Sequence, residues 1–209
     1  MASILSDQSS LDQSKRLFAQ LHLTHADEPT TYAKAQGDSS WRAVMEQEFK
    51  SVEQNHTWEL VPLPSSHLPI TLKWVFKLKK DELSAVIKHK AWLVARGFVL
   101  QEGIDYDDAF APVACMESVR VLLALVAQEG WQVHHMDVKS AFLNGDLKEE
   151  VYVRQPPGYA VAGKGGKVYR LRKALYGLRQ APCAWNAKLD ATLKKMGFKQ
   201  SAHEAAVYR

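Results

Sequence analysis

Asp137 stands between Met136 and Val138, near the end of an apolar run at 133–139. An acid in such a run is costly unless it pairs or binds a cation, so Asp137 is a candidate metal-binding carboxylate. An acid that ends a strand in solvent would fit the same pattern. A second set lies at 73–79 and 86–96, where residue types alternate with period two. Trp74, Phe76 and Leu78 share one face, and Lys73, Lys77 and Lys79 the other. In the second segment His89, Ala91, Leu93 and Ala95 oppose Lys88, Lys90, Trp92, Val94 and Arg96. A ribbon with a basic face on both strands suits an anion such as phosphate; lysines that keep an edge hairpin soluble would look the same. A third set is the stretch 163–199, with ten basic residues and a single acid, Asp190. Such a segment suits a polyanion or forms a solvated face. Other combinations carry less. Residues 163–167, GKGGK, lack the rest of a phosphate loop. His134 and His135 are adjacent, so on a strand their rings face opposite sides.

These side chains need elements to hold them. Trp41, Val44, Met45, Phe49 and Val52 recur at helical spacing, with a cap available at 38–40. Pro62, Pro64 and Pro69 mark the next stretch as loop, and residues 81–85 can turn the basic hairpin. Residues 101–117 are acidic, with Glu102, Asp105, Asp107, Asp108 and Glu117. The apolar run 119–127 predicts a buried helix ended by Gly130, and 133–139 predicts a strand. Asn144-Gly145 predicts a turn; 151–153 and 168–171 predict short strands around a glycine-rich loop. A last helix puts Trp185, Leu189, Leu193 and Met196 on one face and stops at Gly197. Residues 205–208 could begin a strand, and residues 1–30 are polar, a linker with a short helix around 11–23.

Composition narrows the class. The chain has 209 residues, 46% apolar and 24% charged, with a net charge of +4, a globular profile. Residues 1–40 hold three bases against five acids, so the positive charge lies further on. No run of 18 apolar residues and no signal-like start is seen, which argues against a membrane span or secretion. Two cysteines, Cys115 and Cys183, make no disulfide framework and have no metal-ligand spacing. A reducing compartment, cytoplasm or nucleus, is the expectation.

Five blocks then carry a resemblance: KWVFKLK at 73–79, KHKAWLVARGF at 88–98, GIDYDDAFAPV at 103–113, MDVKSAFLNGDLKEEVYVRQPPG at 136–158 and KALYGLRQAPCAWNAKL at 173–189. In this order the sequence resembles the reverse transcriptase of copia-type retrotransposons, from about Tyr32 to the last residue. The resemblance implies an α+β fold, the fingers and palm of a right-hand polymerase. Fingers would occupy about 31–108 and 146–178, and palm about 109–145 and 179–209. It implies template-directed phosphoryl transfer from deoxynucleoside triphosphates on an RNA or DNA template-primer, with two magnesium ions stabilising the transition state. Asp137 would be the first of three metal-binding aspartates, helped by the Val138 carbonyl. Lys73, Lys77, Lys88 and Lys90 would face the nucleotide, and Phe142 would stack under its sugar. Tyr176, Gly177, Arg179 and Gln180 would contact template and primer.

Two features depart from the family pattern. The 209 residues contain no Tyr-x-Asp-Asp motif, which would carry the other two aspartates. The expectation is an incomplete palm sheet and an inactive fragment, either a non-catalytic nucleic-acid-binding remnant or a transposon fossil. In addition, Trp92, Cys115 and Cys183 stand where the family commonly has arginine. Each replacement is one C-to-T change away, which suggests a drifted element.

Overall fold

The computed structural model describes residues 28–100, 103, 106 and 109–209. The helix expected around 11–23, nearly all of the linker, and Glu102, Asp105, Asp107 and Asp108 lie outside the described residues. After a short helix α1 (Tyr32–Ala35) comes α2 (Ser39–Gln54). Asp38 starts α2 as expected, its Oδ1 accepting the Ser40 N–H at 2.7 Å and the Trp41 N–H at 3.4 Å. Those bonds hold the Asp38 carboxyl below its ordinary range. Trp41, Met45 and Val52 form the buried stripe.

The basic hairpin forms as β2 (Leu72–Lys80) and β3 (Val86–Ala95), antiparallel, with Trp74 opposite Leu93 and Phe76 opposite Ala91. Asp81 builds its turn: the carboxylate accepts the N–H groups of Leu83 and Ala85, and Ser84 takes a positive φ of 65°. Strict alternation fails at the base of the hairpin, where Val75 and Val94 on the basic face are also buried. The cause is the 176–178 turn, which lies against the outer edge of β3, Tyr176 O accepting the Ala95 N–H at 2.7 Å.

A second sheet has the order β1-β5-β4, all antiparallel: β1 (Trp58–Pro62), β4 (Tyr152–Val153) and β5 (Lys167–Leu171). Strand β1 corrects the loop reading around Pro62. Proline there is the last residue of the strand, where a missing N–H interrupts no central ladder. Trp58 stacks on Tyr169, with ring centroids 4.3 Å apart. Ile70 links the two sheets by bridging Val153. One core runs between α2, the hairpin's inner face and the three-stranded sheet, with Leu93, Leu143, Val153 and Leu175 fully enclosed.

The remainder is open. Helix α3 (Met116–Glu129) forms and ends at Gly130 in the left-handed region, but buries no residue, against the expected buried helix. Residues 133–138 form no strand. Among the described residues nothing pairs with them, and a strand without a ladder partner leaves its backbone groups to solvent. Val133 is 61% and Met136 84% exposed. The last helix, α4 (Ala181–Lys195), half-buries Trp185, Leu189 and Leu193 but leaves Met196 exposed. After Gly197, residues 205–208 form no strand; Tyr208 makes an isolated bridge to Gln200. The architecture is a mixture of α and β with small antiparallel sheets. Among the described residues, no helix is long and apolar enough to cross a membrane.

Candidate nucleotide and metal site

Helix α2 has a second stripe beside its core face. Val44, Gln47, Glu48, Ser51 and Gln54 recur at spacings of three and four, which places them on one side of the helix. This side looks onto the outer part of β3 and onto the segment 137–142. Ser140 turns that segment in the left-handed region, φ 53°, and its Oγ lies 3.3 Å from Ser51 Oγ. The Asn144 side chain closes the turn by donating to Ser140 O at 3.1 Å. The 3-10 helix Ala141–Asn144 then drives Leu143 fully into the core, which fixes Phe142 beside it. Phe142 meets Tyr176 edge-on, with centroids 5.4 Å apart.

Together these walls bound a cavity of about 720 Å³, with Lys88, Lys90, Asp137, Val138, Phe142 and Tyr176 in its lining. Six of the eleven site residues expected from the sequence therefore meet in one place, although 88 and 176 lie far apart in the chain. Lys73, Lys77, Gly177, Arg179 and Gln180 do not line it. Lys77 is engaged by Glu28, whose fully enclosed carboxylate sits 3.3 Å from its Nζ and also accepts the Leu78 N–H at 2.8 Å. Arg179 is exposed. Gln180 is buried, 2% exposed, with both side-chain polar atoms unpartnered. Gly177 has a scaffolding part: at φ 89° a side-chain carbon would sit 2.2 Å from Ala95 O.

Electrostatics differ across the cavity. Burial, then the charges of Lys79 and Lys88, lowers the Lys90 ammonium from its ordinary value, and Asp137 partly restores it. The Lys90 ammonium also lies 5.5 Å from the Trp92 ring, within cation–π reach. Burial lowers Lys73, with Arg96 adding to the effect. Burial, then the charges of Glu48 and Asp137, pushes the Tyr176 phenol up to about 12. Burial pushes the Glu48 carboxyl up to about 7, opposed by a hydrogen bond from the Leu93 N–H. Sequence reasoning missed Gln47, Glu48 and Ser51. The signal was present in the second stripe of α2, hidden because the core stripe already explained the helix.

The described residues do not by themselves fit two magnesium ions. Among the described residues no three His, Cys, Asp or Glu side chains are grouped to hold a metal. Asp137 is one carboxylate, and Glu48 is engaged by the Leu93 N–H, whereas two ions need several shared oxygen ligands.

A family model described as reverse transcriptase (RNA-dependent DNA polymerase) matches residues 55–209. The chain is 45% identical over 164 residues to the retrovirus-related Pol polyprotein from transposon TNT 1-94 of Nicotiana tabacum, covering 78% of this chain and 12% of that protein. It is 38% identical over 187 residues to the Pol polyprotein from transposon RE1 of Arabidopsis thaliana, covering 89% and 13%. A more distant relative, the transposon Ty1-H Gag-Pol polyprotein of Saccharomyces cerevisiae, is 30% identical over 146 residues, covering 67% and 7%. The chain thus spans about an eighth of the length of the two plant polyproteins. No solved structure matches. With Asp137, Phe142 and Tyr176 gathered on one cavity and a family match over most of its length, this chain belongs to the reverse transcriptases of retrotransposon Pol polyproteins.

Proposed function

We propose that the cavity is the nucleotide-facing side of a right-hand polymerase, with the hairpin as fingers and the 137–142 segment as the start of the palm. The observation that carries this reading is the meeting of two lysines, a carboxylate and two aromatic rings from three separate stretches of chain. Each has work there. Lys88 and Lys90 neutralise triphosphate oxygens, the ammonium acting as a compact point charge. Phe142, braced edge-on by Tyr176, would present a flat apolar surface to a sugar and disfavour a 2′-hydroxyl. Gly177 lets the 176–178 turn press against β3 and so fixes the height of Tyr176. Arg179, exposed beside this turn, would contact a template phosphate. Lys73 and Lys77 belong to the same basic face; Lys77 would have to exchange Glu28 for phosphate.

In the intact family, magnesium ions stabilise charge on the transferring phosphoryl group. This chain supplies Asp137 and the Val138 carbonyl toward such ions, and no catalytic step is assigned to it. Binding and turnover separate accordingly. Magnesium-dTTP should bind, and Lys90→Ala should weaken it by roughly tenfold through loss of a charge-assisted contact. Primer extension by the same chain with magnesium or manganese should be undetectable. Binding unaffected by Lys90→Ala would sink the assignment of the cavity. Extension that disappears in Asp137→Asn would mean that another carboxylate completes the metal site.

A further inference from the structure

Glu48 has no place in the site as the sequence foresaw it. It projects from α2 to the outer edge of β3, where its carboxylate accepts the Leu93 N–H. Its Oε1 is buried and has no hydrogen-bond partner. The residue lines the same cavity as Lys88, Lys90, Asp137 and Tyr176. A carboxylate with a bare, enclosed oxygen is unfavourable when ionised and becomes more so beside a bound anion.

We propose that Glu48 is a positioning residue that sets the charge of this cavity: protonated, it admits a triphosphate to the lysines, and ionised, it repels one. The proposal rests on the triphosphate reading given above. Its physical basis is the geometry: α2 places the carboxyl in the cavity lining beside β3, with its buried Oε1 lacking a hydrogen-bond partner. The titrating range is consistent, since burial holds the group near neutrality, at about 7.

Other charged and titratable groups line the cavity that Glu48 lines. Strand β3 brings Lys88, His89 and Lys90, and the 137–139 segment brings Asp137 and Lys139. Tyr176 comes from the turn, and Lys50 from α2 itself. The Tyr176 phenol, held up at about 12, stays neutral through the range of interest. Titration of the nucleotide's own phosphates is common to the wild type and a Glu48 variant and cancels between them. The sign follows from linkage. A bound triphosphate raises the proton affinity of Glu48, so binding takes up protons and weakens as pH rises through the Glu48 range.

The test uses magnesium-dTTP, the full chain and Glu48→Gln, which keeps an oxygen for the Leu93 N–H and cannot ionise. Calorimetric affinities are compared at about pH 6 and about pH 8.5. A one-unit shift of the carboxyl on binding converts to a tenfold change, so wild type should lose roughly ten times more affinity over that interval than the variant. Near pH 7.5, buffers of different ionisation enthalpy should also report more proton uptake by wild type than by the variant. Parallel pH profiles in the two proteins overturn the proposal while leaving the triphosphate reading intact. No binding by either protein at either pH overturns both. Should the variant fail to fold, wild-type binding near pH 7.5 without proton uptake is enough to overturn the role of Glu48.

Discussion

The hairpin with its surroundings and the α3–139 region are both rich in apolar residues, yet they end in opposite conditions. In the first, Trp74, Phe76, Ala91 and Leu93 alternate with lysines and meet a helix stripe of Trp41, Met45 and Val52. In the second, Val121, Leu122, Leu123 and Leu125 spread over more than half the circumference of a helix, and Trp131, Val133 and Met136 follow, all exposed. Hydrophobicity is similar; partners are not. An amphipathic element needs one neighbour, and the chain provides it locally. An element apolar on every side needs neighbours all round. Among the described residues α3 is held chiefly at its first turn, where Glu204 accepts from Ser118 Oγ at 3.2 Å and from the Cys115 N–H at 3.4 Å.

Amide exchange offers the largest contrast. Hydrogen-bonded amides of β2 and β3 should open only with global unfolding, on the order of 5–15 kcal/mol, and those at 133–138 with almost no cost. Equal protection in the two segments would erase the distinction drawn here. Next comes side-chain truncation. Leu93→Ala, at a site with no exposure, should cost about 2–5 kcal/mol in urea unfolding, and Leu125→Ala, on α3, less than about 1 kcal/mol. Comparable losses would mean that α3 has packing partners in solution.

Trp92, Cys115 and Cys183 give the smallest and sharpest test, because they fall in different surroundings. Trp92 lines the cavity beside Lys90. Cys115 is exposed at the start of α3, its thiol donating to Glu117 at 2.7 Å, and Cys183 is half-buried in the first turn of α4. Placing arginine at all three positions should raise nucleotide affinity by roughly tenfold, the scale of one charge-assisted hydrogen bond, with Trp92→Arg alone supplying most of it. A gain carried by Cys115→Arg would assign phosphate contacts to the open region instead.

Local patterns were legible where a short stretch contains its own explanation. The hairpin and its turn at 81–85, the Asp38 cap and the Gly130 and Gly197 stops all follow from neighbouring residues. Strand β1 was not, because Pro62 reads as a breaker until it is known to end the strand. The gathering of Lys88, Lys90, Asp137, Val138, Phe142 and Tyr176 was legible only through resemblance, since no spacing rule joins residues so far apart. Glu48 escaped altogether: an acid on an amphipathic helix reads as solvated, and its burial depends on β3 lying across it.

The sequence by itself determined the family, the helix and hairpin identities, and the chemical character of each face, because these depend on residue type and period. Tertiary structure alone decided which lysines share a cavity with Asp137, that Lys77 is held by Glu28, and that among the described residues 133–138 have no strand partner. Those outcomes depend on which surfaces meet. A carboxylate, an ammonium or a strand edge has no fixed role until the chain places a partner, or none, within a few ångströms of it.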